Sequence, residues 1–183
     1  MAGTVYLVGA GPGSADLLTL KAARLLAESD LVLHDALVTD EVLALAPRAR
    51  KLAVGKRAGR PSTDQAVINR LLVRAARQHA VVVRLKGGDP MLFGRAQEEI
   101  DALRAAGIAF EIVPGISAGF AAAAEIAQSL THRRLSRSVT SMVLRPSAAA
   151  RAGSIVTGAY PAGVDASPPC AACSFARVAA VRG

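Results

Sequence analysis

An apolar run opening on Val81-Val82-Val83 continues through Arg84-Leu85 and stops in Lys86-Gly87-Gly88-Asp89-Pro90, with a helix-like stretch following from about Ala96. The run reads as a buried β-strand, and its abrupt end in adjacent glycines restricts the fold more than any other feature of the chain. Lacking Cβ atoms, Gly87 and Gly88 let a ligand approach the backbone, while Asp89 offers a carboxylate and Pro90 stiffens the exit. Open α/β sheets place their ligands at such carboxyl strand ends.

The same strand-to-helix unit recurs along the chain. Thr4 to Val8 predicts a first strand, followed by a glycine turn and a helix from about Leu18 to Glu28. Leu31 to His34 predicts a short buried strand, and Asp40 to Ala46 a short helix. Ser62-x-x-Gln65 has the form of a capping box, opening a helix whose apolar positions Ile68, Leu71, Leu72 and Ala75 follow helical spacing. Ala96 to Ala106 is a helix with Ile100 and Leu103 inward and Gly107 as its stop; Phe110 to Val113 is a strand and Ser117 to Ala127 a helix. Alternation of this kind implies an α/β fold with a parallel sheet covered on both faces. From Ser141 onward there is no Lys, no Glu and a single Asp among abundant Ala, Pro, Gly, Ser and Arg, so little stable structure is expected there.

A length of 183 residues suits one domain or slightly more, and 52% hydrophobic residues suffices for a core. The amino end carries no basic region, and Val5 to Val8 is far shorter than a signal core or a membrane span, which predicts a soluble cytoplasmic protein. The formal charge of +8 points to an anionic partner, yet only 3% aromatic residues leaves little with which to stack bases, so a polyanionic small molecule is favoured over nucleic acid. Cys170 and Cys173 are the only cysteines and cannot form a disulfide framework for the main body.

Several strand ends carry candidate chemistry. Val8-Gly-Ala-Gly-Pro-Gly13 is a glycine turn after the first strand; Pro12 breaks dinucleotide-fingerprint spacing, leaving a different ligand seat or a tight structural turn. Asp35 follows a strand directly, where a carboxylate can accept a proton or merely cap a helix. Gly55-Lys56-Arg57-Ala58-Gly59-Arg60 is a basic loop at another strand-to-helix turn, suited to anions or simply solvated. Val113-Pro-Gly-Ile-Ser-Ala118 would let amides at a helix start reach a ligand. His132, in Thr131-His-Arg-Arg134, is a possible donor or an exposed loop residue, and Cys170-x-x-Cys173 has a redox or half-zinc form without a helix or a second ligand pair.

Taken in order, the glycine turn to Gly13 with Leu17-Leu-Thr-Leu-Lys21, Asp35, Val54-Gly-Lys-Arg-Ala-Gly59, Arg84 to Pro90 with Phe93-Gly-Arg95, Val113 to Ile116, and Leu130-Thr-His-Arg133 resemble the tetrapyrrole methylase family. The resemblance runs from about Thr4 to Thr140, and the Gly-Lys-Arg-Ala-Gly and Thr-His-Arg segments are similar to the branch that methylates ring carbons of uroporphyrinogen III. It implies a transfer from S-adenosylmethionine giving precorrin-2, on the way to sirohaem or cobalamin, with no metal, nucleic acid or membrane involved. It also implies Asp35 as proton acceptor and Lys56 as proton donor, with the methyl donor against Pro12, Gly87, Gly88, Asp89, Leu92, Ser117 and Ala118. Arg57, Arg60 and Arg133 would meet the carboxylates of the substrate, and an intact relative would be a homodimer.

Similar enzymes continue after the Ser138-Val139-Thr140 strand into a second α/β lobe that completes the cofactor cleft. Here residues 1–140 are expected to form the amino-terminal lobe and 141–183 a poorly structured tail, as an out-of-frame reading would produce. A chain with one wall of the pocket is expected to transfer methyl groups weakly or not at all. The alternatives are a noncatalytic tetrapyrrole-binding lobe, a methylase acting on another precorrin, a basic nucleic-acid-binding domain and a nicotinamide oxidoreductase.

Overall fold

The computed structural model describes residues 2–55, 64–131, 139–143 and 154–157. They fall into two compact units, Met1–Ser117 and Ala118–Gly183. In the first, five strands form one sheet: β1 (Thr4–Gly9), β2 (Leu31–His34), β3 (Arg50–Ala53), β4 (Val81–Lys86) and β5 (Phe110–Val113). All pairings are parallel and the spatial order is β3-β2-β4-β1-β5. Between them run α1 (Leu20–Glu28), preceded by a 3-10 turn at Ala15–Leu17, then α2 (Asp40–Ala44), α3 (Gln65–Ala76) and α4 (Ala96–Ala105). The α/β parallel sheet read from the sequence is therefore present.

Successive strand residues point to opposite faces, and each face has its own core. Val5, Leu7, Leu31, Leu33 and Val82 pack with Ile68 and Leu72 of α3 and Ile100 and Leu103 of α4. On the other face Val8, Val32, Val83 and Leu85 pack with Leu25 and Leu26 of α1 and Val42 of α2. The adjacent strands β1 and β4 send their connections in opposite directions over opposite faces. That is the arrangement which leaves a crevice at the carboxyl rim of a doubly wound sheet.

Several element ends differ from expectation. Helix α1 begins at Leu20, because Thr19 is extended and its side chain accepts from the Ala22 amide. The cap of α3 is Asp64, whose carboxylate accepts from Ala66 N at 3.1 Å, rather than a Ser62 capping box; Ser62 lies outside the described residues. Strand β3 supplies the strand that the basic loop requires, but its Arg50 and Lys51 are exposed, so no buried run announces it.

In the second unit, α5 spans Ala118–Glu125, shorter than the Ser117 to Ala127 expected. Strands β6 (Thr140–Val143) and β7 (Ser154–Thr157) pair antiparallel. The expectation of little structure from Ser141 thus missed this ribbon, which straddles the 140/141 boundary. Its Ser-Ile-Val-Thr strand is a short β-branched segment that favours extended backbone without showing any long periodicity.

Candidate active site

Three glycine bends meet at the carboxyl rim. Gly11 and Gly88 form an isolated antiparallel bridge, with Gly88 N donating to Gly11 O at 2.8 Å and Gly11 N to Gly88 O at 3.2 Å. A Cβ on Gly9 would lie 2.6 Å from both Gly88 O and Gly115 Cα, and one on Gly115 2.4 Å from Gly88 O. Side chains larger than hydrogen would drive the β1, β4 and β5 loops apart. Asp89 ties two of these loops: its Oδ2 accepts from Gly115 N at 3.0 Å and its Oδ1 from Met91 N at 2.8 Å. Thr39, at the start of α2, donates to Gly13 O at 2.7 Å and fixes the far end of the first bend.

The rim is apolar around these bends. Leu17, Leu37, Met91, Leu92, Phe93 and Ile116 are large hydrophobic side chains left exposed on loops at the carboxyl ends of β1, β2, β4 and β5. The Phe93-Gly-Arg95 turn is strained, with φ of 54° at Phe93 and 53° at Arg95. Gly94 is enclosed between them, since a Cβ there would sit 2.5 Å from Pro90 O. Arg95 donates through Nε and Nη2 to the two Glu98 oxygens at 2.6 and 2.8 Å, and this pairing holds the Glu98 carboxyl below, and the Arg95 guanidinium above, their ordinary values.

Beneath the rim lies a charged cluster that sequence reasoning missed. Arg84 and Lys86 are each 2% exposed and Glu99 is fully buried. Arg84 Nε donates to Glu99 Oε1 at 3.0 Å, Lys86 Nζ to Glu99 Oε2 at 2.9 Å, and Gln65 Nε2 to Glu99 Oε1 at 3.3 Å. Arg84 Nη2 reaches Asp35 Oδ1 at 2.6 Å, and Nη1 donates to the Leu33 and Leu85 carbonyls. Burial, reinforced by the neighbouring Arg84 cation, pushes Lys86 below the ordinary lysine value, with Glu99 opposing. The pattern that could have revealed this was two cations spaced two apart in a strand otherwise apolar on both faces, with Glu99 four residues before the inward Leu103.

The structure thus gathers Pro12, Asp35, Gly87, Gly88, Asp89, Leu92 and Ser117 on the loops that follow the strands of one unit. Ala118 opens α5 in the second unit. Lys56, Arg57, Arg60, His132, Arg133, Cys170 and Cys173 lie outside the described residues. No helix among the described residues is long and apolar enough to cross a membrane.

The family model described as Tetrapyrrole (Corrin/Porphyrin) Methylases matches residues 4–158. The chain belongs to the tetrapyrrole methylases. Relatives of this tetrapyrrole methylase include a uroporphyrinogen-III C-methyltransferase of Pseudomonas aeruginosa, 54% identical over 140 residues, or 76% of this chain and 57% of that protein. An S-adenosyl-L-methionine-dependent uroporphyrinogen III methyltransferase of Arabidopsis thaliana is 53% identical over 75% of this chain and 37% of its own length. Among solved structures, a uroporphyrin-III C-methyltransferase of Thermus thermophilus is 48% identical with a TM-score of 0.66, covering 77% of this chain and 59% of that one. A uroporphyrin-III C-methyl transferase of Thermus thermophilus in complex with S-adenyl homocysteine is 51% identical with a TM-score of 0.64, covering 74% of this chain and 53% of that one. This tetrapyrrole methylase chain therefore spans just over half the length of the first relative and little more than a third of the second.

Proposed function

We propose that this chain carries the amino-terminal part of an S-adenosylmethionine-dependent uroporphyrinogen-III C-methyltransferase, in which residues 1–140 supply one wall of the methyl-donor site. The carrying observation is the convergence of the Gly9–Gly13, Gly87–Asp89 and Gly115 bends at the switch point of the sheet. Pro12, Gly87, Gly88, Asp89, Leu92 and Ser117 would hold the donor on a seat of bare backbone edged by apolar side chains. A bound sulfonium supplies an electrophilic methyl group, so the residues of this chain have mainly to position a pyrrole carbon and handle a proton.

Asp35, held on the rim by Arg84 with its side chain 26% exposed, is the group we assign as proton acceptor. Lys56 is the proposed donor, and Arg57, Arg60 and Arg133 the partners of the substrate carboxylates; these four assignments rest on the family pattern. The cytoplasm is the proposed compartment, and a homodimer the proposed assembly.

Titration of the ¹⁵N-labelled chain with S-adenosylhomocysteine tests the donor seat. Amide shifts are expected at Gly11, Gly87, Gly88, Asp89, Leu92 and Gly115, with a dissociation constant weaker than micromolar. Shifts centred on β3 and α2, or none at millimolar ligand, would overturn the reading.

A further inference from the structure

We propose that Glu99, a residue that does not reach the rim, is the positioning residue for the Asp35 carboxylate, acting through Arg84. The proposal deepens the proton-acceptor reading of Asp35 and takes its mechanistic meaning from it. Asp35 stands on a loop directly after β2, and Arg84 is the side chain it pairs with among the described residues. The direction of Arg84 therefore decides where the acid points.

A guanidinium is a rigid planar fork, so fixing its Nε edge fixes the aim of both Nη groups. Glu99 Oε1 holds that edge at 3.0 Å. The carboxylate cannot swing away, because Lys86 Nζ holds Oε2 at 2.9 Å and Gln65 Nε2 reaches Oε1 from α3. Carbonyl contacts from Nη1 to Leu33 and Leu85 lock the plane against β2 and β4. Nη2 is left facing outward, 2.6 Å from Asp35 Oδ1. Every member of the chain is buried except its last, so the order transmitted from α4 ends at the one group open to a substrate.

A purely cohesive cluster would also need good geometry to offset the desolvation of its ions, so what separates the two roles is whether loss of the Glu99 charge is felt at the Asp35 carboxyl. The test is nuclear magnetic resonance on the whole chain with labelled arginine and aspartate, comparing wild type with Glu99→Gln. The proposal expects the Arg84 Hε and Hη2 protons to exchange slowly in wild type and at least about tenfold faster in the variant, as local opening replaces a closed network. It also expects the ¹³C resonance of the Asp35 carboxyl to move while amides of α1 and β3 stay in place. Slow Arg84 protons and an unmoved Asp35 resonance in the variant would overturn it.

If Glu99→Gln fails to fold, Glu99→Gln with Lys86→Met removes the buried charge imbalance and decides the matter by the same signals. These readouts need no turnover. A chain that fails to bind S-adenosylhomocysteine refutes the proposed donor seat and leaves the positioning result standing.

Discussion

Arg84 and Lys86 leave β4 on the same side, two residues apart, and enter the layer between the sheet and α4 where Glu99 meets both. The cost of this arrangement falls on Lys86, whose protonated form is disfavoured by burial and by Arg84. Its folded value lies below the unfolded one, so between that lowered value and about 10.4 the unfolded chain binds more protons than the folded one. Stability from this group is therefore lowest below the folded value and rises with pH through that window. Urea unfolding of wild type and Lys86→Met from neutral to alkaline pH should show the difference moving in favour of wild type; a difference independent of pH would refute the assignment. Asp35 and Asp89 were legible in the sequence because each directly follows a strand or its glycine pair. Glu99 was not, because one acid beside Glu98 on an amphipathic helix looks like its solvated neighbour until the partner cations on β4 are placed.

At the level of elements, hydrophobic pattern found β1, β2, β4 and β5 and helices α1, α3 and α4, since burial on both sheet faces and helical spacing are written directly in the side chains; the reading of α2 and α5 as helices rests on no such spacing, and α5 buries no side chain. The pattern failed where structure depends on little burial. The exposed edge strand β3, the Asp64 cap of α3 and the β6–β7 ribbon are fixed by backbone pairing or by one side-chain acceptor. The contacts among bends were likewise invisible, although the glycines making them were not. Gly115→Ala should cost about 1–3 kcal/mol in urea unfolding, as overpacking does, because its Cβ would meet Gly88 O at 2.4 Å and backbone cannot step aside as a side chain can. An alanine variant as stable as wild type, with an unshifted Gly88 amide, would show the three bends to be looser than described.

For the molecule as a whole, the linked quartet of buried Arg84, Lys86 and Glu99 with half-buried Asp35 is balanced in formal charge, so it contributes nothing to the surplus of +8. That surplus resides in the remaining residues, where it can draw in a polycarboxylate. Binding of uroporphyrin, a stable polycarboxylate probe, should weaken at least about tenfold between about 0.05 and about 0.5 M salt. Fluorescence titration reads this directly, and an affinity insensitive to salt would remove electrostatics as the attraction. Because Gly9, Gly88 and Gly115 already touch through main-chain atoms, the floor between the strands is set by van der Waals radii common to every polypeptide. Its width is not adjustable by ordinary side-chain exchange beneath it, so if the proposed donor rests there, discrimination among ligands would fall to the exposed collar of Leu37, Leu92 and Phe93.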